Sequence, residues 1–162
     1  MIEKSNTNID VSLWNAYSES FFHFEAEWHT SSYAVITAWN PYSNLRSKKE
    51  NCISNQELEK QLKHANYVLV NVGDRSFEWC EESFAADISL EEAVRLAKVF
   101  QQNAIYYVID GDLYLVACAA PSKKHWLGKI NDRLYNRISL VGVMPERANS
   151  RRKYERHNTR YL

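Results

Sequence analysis

Residues 103–119 have the sequence NAIYYVIDGDLYLVACA, in which two apolar runs flank the dipeptide Asp110-Gly111. This dipeptide supplies the positive φ values that a type I′ turn requires. The runs on either side are rich in the β-branched and aromatic residues that favour strands. The stretch therefore predicts an antiparallel β-hairpin at the C-terminal end of a folded domain.

The segments before the hairpin predict three helices and four strands. Ser47 with Glu50, and Ser89 with Glu92, match the capping box with which many helices begin, and Asp10 is a further predicted N-cap. The predicted elements are a helix from Asp10 to Glu19, strands over 20–28 and 32–39, a helix from Ser47 to Ala65, strands over 67–72 and 77–88, and a helix from Ser89 to Phe100.

The order of these elements predicts an α+β fold. From residue 32 to residue 109 they follow the order β-α-β-β-α-β, which is that of a split β-α-β, or ferredoxin-like, unit. We expect one domain over residues 1–121, with a mainly antiparallel sheet and helices on one face. In the helix after Ser47, the apolar stripe Ile53, Leu58, Leu62 and Ala65 is expected to face the core.

Length and cysteine content bound the class of protein. A chain of 162 residues can bury a core without disulfides or metals. Cys52, Cys80 and Cys118 are an odd number at wide spacing, which argues against a disulfide framework and against a cysteine zinc site. No apolar run approaches the roughly 20 residues of a membrane span. We therefore predict a cytoplasmic protein with no membrane partner and no cofactor.

The net charge of zero conceals two oppositely charged parts. Residues 1–121 contain nine basic and 17 acidic residues, a net charge of −8, whereas residues 122–162 contain 11 basic and three acidic residues, a net charge of +8. In residues 122–144 the apolar side chains recur at helical spacing, and Lys129, Arg133 and Arg137 form a separate row. This pattern predicts a basic amphipathic helical extension.

Residues 145–162 have almost nothing to bury, and we expect this tail to be disordered unless it binds a partner. Its basic residues are interleaved with Tyr154, His157 and Tyr161, a composition suited to RNA or single-stranded nucleic acid. The alternatives are a ribonucleoprotein or an acidic protein surface as partner, packing of the tail on the acidic body of its own or a neighbouring subunit, and a solvated tail. The predicted binding residues are Lys129, Arg133, Arg137, Arg151, Arg152, Lys153, Arg156 and Arg160.

Three motifs carry a resemblance to a known family: TAWNPYS at 37–43, EESF at 81–84 and FQQNAIYYV at 100–108. On these motifs, residues 13–118 resemble the bacterial family called domain of unknown function 3293. The residues that match its pattern are Thr37, Ala38, Asn40, Pro41, Asn51, Glu81, Ser83, Phe100, Gln102, Asn103, Ala104 and Ile105. Glu82 stands where the family has Pro, and Gln101 where it has Gly. The resemblance implies a domain boundary and no activity.

Asn40, Gln102 and Asn103 lie at the ends of two predicted strands. If these strands are antiparallel neighbours, the three amides meet at one edge of the sheet and form a polar pocket with Glu81. Amides orient or bind ligands but do not transfer protons. The pocket therefore favours a ligand-binding domain or small enzyme as the alternative to a non-enzymatic binding module with a basic extension. The structural alternative is that Asn40 and Asn103 only satisfy backbone groups.

Neither a catalytic residue nor a metal site is predicted. His23, Glu25, Glu27 and His29 alternate along one strand, so they share a face but are spaced too far apart to converge on one ion. We expect this face to be solvated. Cys80 adjoins carboxylates, which raise the pKa of a thiol and disfavour a nucleophilic thiolate.

Overall fold

The computed structural model describes residues 9–135, which form an α+β domain, as predicted. No helix in this part of the chain is long and apolar enough to cross a membrane. The elements are α1 Val11–Ser18, β1 Phe21–Phe24, β2 Ser32–Ile36, a 3₁₀ turn Pro41–Ser43, α2 Lys48–Leu62, β3 Tyr67–Gly73, β4 Cys80–Ala86, α3 Leu90–Val99, β5 Ala104–Ile109, β6 Asp112–Ala117, β7 Lys124–Lys129 and a second 3₁₀ turn Ile130–Arg133.

The three helices begin at the predicted residues because each N-cap side chain accepts a hydrogen bond from an otherwise unpaired N–H of the first turn. These bonds confirm the predicted N-termini of all three helices. Ser12 N donates to the Asp10 side chain at 2.7 Å. Glu50 N donates to the Ser47 side chain at 3.2 Å, and Glu92 N donates to the Ser89 side chain at 3.1 Å.

The strands form one antiparallel sheet with the order β1-β3-β4-β2-β5-β6-β7. Because β4 lies between β2 and β3, the β2-α2-β3 unit is split, and the order is consistent with the predicted split β-α-β arrangement. The hairpin of β5 and β6 is confirmed: Asp110 and Gly111 have φ values of 48° and 84°. Because β2 and β5 pair antiparallel, the end of β2, which precedes Asn40, lies beside the start of β5, which follows Gln102 and Asn103.

The sheet curls until its two edges approach each other. After β7 the chain returns to β1, where Leu134 forms a parallel bridge with Phe22, and Tyr135 N donates to Phe22 O at 2.8 Å. The curl gives the sheet an inner face and an outer face. Each face carries its own buried cluster.

The two faces are covered by different helices. Alternate residues such as Ala34 and Ile36 pack outward against α2 and α3, whereas Tyr33 and Val35 belong to the inner cluster, against which Trp14 of α1 packs. The expectation of helices on one face therefore holds for α2 and α3. The first helix, α1, packs against the inner face, which the curl leaves open at one end.

The predicted helix over residues 122–144 is wrong where the structure describes it. Residues 124–129 form β7 because the edge of β6 offers unpaired backbone groups, and pairing satisfies them. Gly128 has a φ of 102°, outside the helical region. The remainder of that predicted helix and the predicted tail lie outside the described residues.

Gly73 is required by the close approach of β3 and β4, because a Cβ at this position would collide with the backbone carbonyl oxygen of Trp79. We expect Gly73→Ala to lower the free energy of unfolding by about 1–3 kcal/mol, the usual cost of overpacking. Denaturant titration measures the change. Glu78→Ala is the control, because Glu78 is exposed in the loop that joins the same two strands. Equal losses in the two variants would contradict this explanation.

Candidate functional site

The inner face of the sheet and α1 enclose a cavity of about 370 Å³. Its walls are mostly apolar, and a small polar region lies at one end. Leu45 and Trp79 line the cavity and are also exposed, by 64% and 36%, so they form its entrance. The apolar walls include Leu13, Ala16, Tyr17, Val35, Val72, Tyr106 and Leu115, and the polar residues include Asn40, Ser43, Glu81, Ser83 and Gln102.

Asn40 is the centre of the polar region and is only 3% exposed. Its Nδ2 donates to Glu81 Oε1 at 2.9 Å, and its Oδ1 accepts from Arg46 N at 2.9 Å. Asn51 makes a reciprocal pair with it: Asn40 N donates to Asn51 Oδ1 at 3.0 Å, and Asn51 Nδ2 donates to Asn40 Oδ1 at 3.1 Å. These bonds fix the amide, so that its Nδ2 is aimed at the Glu81 carboxyl.

The backbone that carries Asn40 has an uncommon conformation. Asn40, Tyr42 and Ser43 have φ values of 47°, 51° and 62°, in the left-handed region that residues other than Gly rarely adopt. Hydrogen bonds hold the turn, among them Ser43 N to Asn40 O at 2.8 Å. Such conformations cost about 1–3 kcal/mol each and cluster at functional sites. The strained turn borders the cavity.

Gln101 takes the conformation of the Gly that the resemblance implies at its position. Its φ is 57°, and its carbonyl oxygen accepts from Tyr42 N at 2.6 Å. The close backbone approach that a Gly at position 101 would allow is therefore present here with Gln101.

A second buried amide, Asn55, ties α2 to the same end of the sheet. Its Oδ1 accepts from Ala38 N at 2.8 Å, and its Nδ2 donates to Glu82 O at 2.9 Å, an oxygen that Thr37 also reaches at 2.7 Å. Sequence reasoning missed Asn55. The signal was its helical spacing: Asn51 and Asn55 continue the buried stripe of Leu58 and Leu62.

The predicted stripe of α2 is wrong at Ile53, which is 51% exposed. The buried face includes the two asparagines, because hydrogen bonds satisfy both amides. Asn55 bonds Ala38 N and Glu82 O, and Asn51 bonds Asn40 and Arg46 O in the turn after β2. A hydrophobicity pattern cannot detect such positions.

Of the predicted amides Gln102 and Asn103, only Gln102 is among the residues that line the cavity. Gln102 lines the cavity and donates to Trp39 O at 3.0 Å and to Phe100 O at 3.2 Å. Asn103 lies behind the wall, where its Nδ2 donates to Ser43 Oγ at 3.2 Å; Tyr17 OH is 2.6 Å from the same oxygen. Thus Asn40, Glu81 and Gln102 share the cavity, whereas Asn103 positions one of its lining residues.

Glu81 has the most perturbed carboxyl group of the site. Burial raises its pKa from the ordinary value of 4.5 to about 7, and the hydrogen bond from Asn40 opposes this rise. Burial also raises the pKa of the neighbouring Tyr106. A carboxyl group with a pKa near neutrality can accept or donate a proton under ordinary conditions.

The basic residues predicted to bind a partner are placed only in part. Lys129 Nζ lies 2.8 Å from Asp112 Oδ1. Arg133 donates to the carbonyl oxygens of Ser18 (2.7 Å) and Leu127 (3.2 Å), so it connects the end of α1 to β7. Both side chains are engaged within the domain. Arg137, Arg151, Arg152, Lys153, Arg156 and Arg160 lie outside the described residues.

The prediction of a solvated face over residues 23–29 is wrong for His23, whose side chain is 13% exposed. The ring packs edge-on near Phe77 and Tyr135, and its Nδ1 lies 3.3 Å from Tyr135 O. The cause is the return of the chain after β7, which covers this part of β1. In the described part of the chain, no group of three or more His, Cys, Asp or Glu residues could hold a metal ion.

The described residues form an α+β domain that surrounds a mostly apolar cavity with one polar end. Residues 36–105 match the model of a family described as a protein of unknown function, DUF3293, so this part of the chain is similar to that family. The matched segment contains the strained turn, both buried amides of α2, Glu81 and Gln102. Neither the comparison with curated proteins nor that with solved structures gives a match.

The raised pKa of Glu81 predicts a specific dependence of stability on pH. The folded state binds more protons than the unfolded chain between pH 4.5 and about 7, so the free energy of unfolding falls as pH rises through this window. Glu81→Gln removes this loss while keeping an acceptor for Asn40. We expect the variant to be more stable than the natural protein by about 1–3 kcal/mol at about pH 8, with little difference below about pH 4.5.

Thermal and denaturant unfolding across this pH range measure the difference. The matched control is Glu78→Gln, because Glu78 is exposed and outside the cavity. A pH-independent difference between Glu81→Gln and the natural protein would show that the Glu81 carboxyl is not desolvated.

Proposed function

We propose that this domain binds a small, largely apolar molecule in the cavity between α1 and the inner face of the sheet, with the polar end of the ligand at Glu81 and Asn40. The observation that carries the proposal is the cavity itself, about 370 Å³ in volume. Protein interiors are close-packed, and a void of this size lowers stability. Mostly apolar pockets of about 300–1,000 Å³ with a few placed polar groups are typical of ligand sites.

The entrance supports the same function. Leu45 and Trp79 are apolar, exposed and in contact with the cavity, and Tyr42 of the strained turn is 55% exposed. Clustered apolar side chains at a surface favour contact with a ligand over contact with water. Asn40, which accepts a hydrogen bond within this turn, also donates to Glu81, so one residue connects the turn to the polar end of the cavity.

We propose binding as the function in preference to catalysis. The Glu81 carboxyl is suited to proton transfer, and this is the feature that favours the enzymatic alternative. Acid-base enzymes usually combine such a group with a second titratable group or a nucleophile. Within residues 9–135, the other titratable groups of the lining are the phenols of Tyr17 and Tyr106.

Binding of phenethyl alcohol, a neutral molecule with an aromatic ring, tests this function. Trp39 and Trp79 line the cavity, so we expect saturable binding to change the tryptophan fluorescence. Ala16 of α1 lines the cavity and is exposed, so Ala16→Phe adds a ring at the margin of the cavity and is expected to reduce this change. Asn15→Phe is the matched control because Asn15 is the exposed neighbour of Ala16 and is not part of the lining.

Circular dichroism and the melting temperature establish that both variants fold. Unchanged fluorescence on titration of the natural protein, or equal binding by a folded Ala16→Phe variant, would contradict the proposed function.

Single-stranded RNA is a second candidate ligand, at a different part of the chain. The observation that favours it is the net charge of +8 over residues 122–162, with basic and aromatic residues interleaved. Since Lys129 and Arg133 are engaged within the domain, the proposal rests on the residues of the tail, namely Arg151, Arg152, Lys153, Arg156 and Arg160.

For this candidate we expect the full chain to bind oligouridine with an affinity that falls linearly with salt concentration on a log-log scale. Removing residues 145–162 is expected to abolish most of the binding, and replacing the five basic residues by Gln is expected to reduce the salt dependence. Fluorescence anisotropy measures both effects. Equal binding by the shortened chain, or no binding at about 50 mM salt, would show that the tail does not bind RNA.

A further inference from the structure

The charge within the cavity is unbalanced. Within residues 9–135, the lining contains one carboxyl group, that of Glu81, and no Lys, Arg or His side chain. The groups that act on the ionisation of Glu81 are its apolar surroundings and the neutral amide of Asn40. Buried charged groups in folded proteins are normally paired, because desolvation of an unpaired charge is costly. Among residues 9–135, no cationic side chain of the lining pairs with this carboxyl group.

The carboxyl group is held in one orientation. Asn40 Nδ2 binds Oε1 at 2.9 Å, and Asn40 is itself fixed by Asn51 and Arg46 N. In the described part of the chain, Asn40 is the one hydrogen-bond partner of the Glu81 carboxyl, which leaves Oε2 for a ligand. A carboxylate that is oriented before binding loses little conformational entropy when a partner arrives.

The aromatic residues of the lining, like the Glu81 carboxyl group, favour a positively charged ligand group. Tyr17, Trp39, Trp79 and Tyr106 all line the cavity. The face of an aromatic ring attracts a cation and repels an anion, and Trp and Tyr are the strongest natural examples. Rings and carboxyl group together favour a ligand with a positively charged end and an apolar body.

We propose that the ligand of this cavity is a hydrophobic primary amine, whose ammonium group pairs with Glu81 and whose apolar body fills the space between α1 and the sheet. This inference rests on the proposed function and adds the chemical class of the ligand. An ammonium group donates to the free oxygen of Glu81 and neutralises its charge. A neutral alcohol donates without neutralising the charge, and a carboxylate meets a like charge with no cation to offset it.

A series of three ligands with the same ring tests the class: phenethylamine, phenethyl alcohol and phenylacetate. The full chain is titrated with each at about pH 8, where Glu81 is ionised and the amine is protonated. We expect the amine to bind at least about tenfold more tightly than the alcohol, as hydrogen bonds between charged groups allow. Phenylacetate is expected to bind more weakly than either.

The Glu81→Gln variant removes the charge and keeps an oxygen acceptor for Asn40. In this variant the ratio of amine affinity to alcohol affinity is expected to fall to about one, because the amine then gains nothing from its charge. The matched control, Glu78→Gln, lowers the surface charge by the same amount and is expected to keep the ratio of the natural protein. Tryptophan fluorescence and calorimetry report the affinities, and the melting temperature of each variant establishes folding.

The outcomes separate the two proposals. If the alcohol binds and the amine binds no more tightly, or if phenylacetate binds best, the amine class is wrong and the proposed cavity function stands. An amine preference that survives Glu81→Gln also overturns the inference, because a surface charge then explains it. If none of the three ligands binds, the proposed function fails together with the inference.

Discussion

The hydrogen bonds of Asn40 are the constraint on which the site depends. One buried amide connects three separate parts of the chain: the turn after β2, the first half of α2 through Asn51, and β4 through Glu81. The connection has a cost, because Asn40 and two residues after it adopt left-handed backbone conformations. Strain of this kind persists only where the surroundings over-determine the conformation. In this domain the result is a carboxyl group that is held in place within apolar walls.

The curl of the sheet creates the space in which that carboxyl group acts. Because the chain returns from β7 to the outer edge of β1, the inner face becomes concave, and α1 covers it without filling it. Arg133 connects the end of α1 to β7 through backbone carbonyl oxygens. Arg133, which the sequence predicted to bind a partner, therefore has a structural role in connecting α1 to β7.

The comparison between prediction and structure separates short-range from long-range information. Helix N-termini and the β5–β6 hairpin were predictable from short-range contacts. A capping side chain accepts a hydrogen bond from an N–H within three residues, and a type I′ turn involves four consecutive residues. The helical spacing over 122–144 was misleading, since the unpaired edge of β6 decides that residues 124–129 form a strand. His23 is largely covered by the chain that follows β7, and Ile53 is exposed because Asn51 and Asn55 occupy the buried face of α2.

The sequence by itself determined the class of fold, the similarity of residues 36–105 to a known family and the four side chains of the polar cluster. Of these four, Asn40, Glu81 and Gln102 line one cavity. It also showed that the charge of the chain is divided between an acidic body and a basic C-terminal part. Only the tertiary structure decided that the polar cluster opens into a cavity and that Asn55 belongs to the buried face of α2. Only the tertiary structure decided that Glu81 lines this cavity with no Lys, Arg or His among the lining residues of the described part of the chain. Propensities and motifs act between neighbours in the chain, whereas a void and its dielectric environment exist only once distant segments have packed around it.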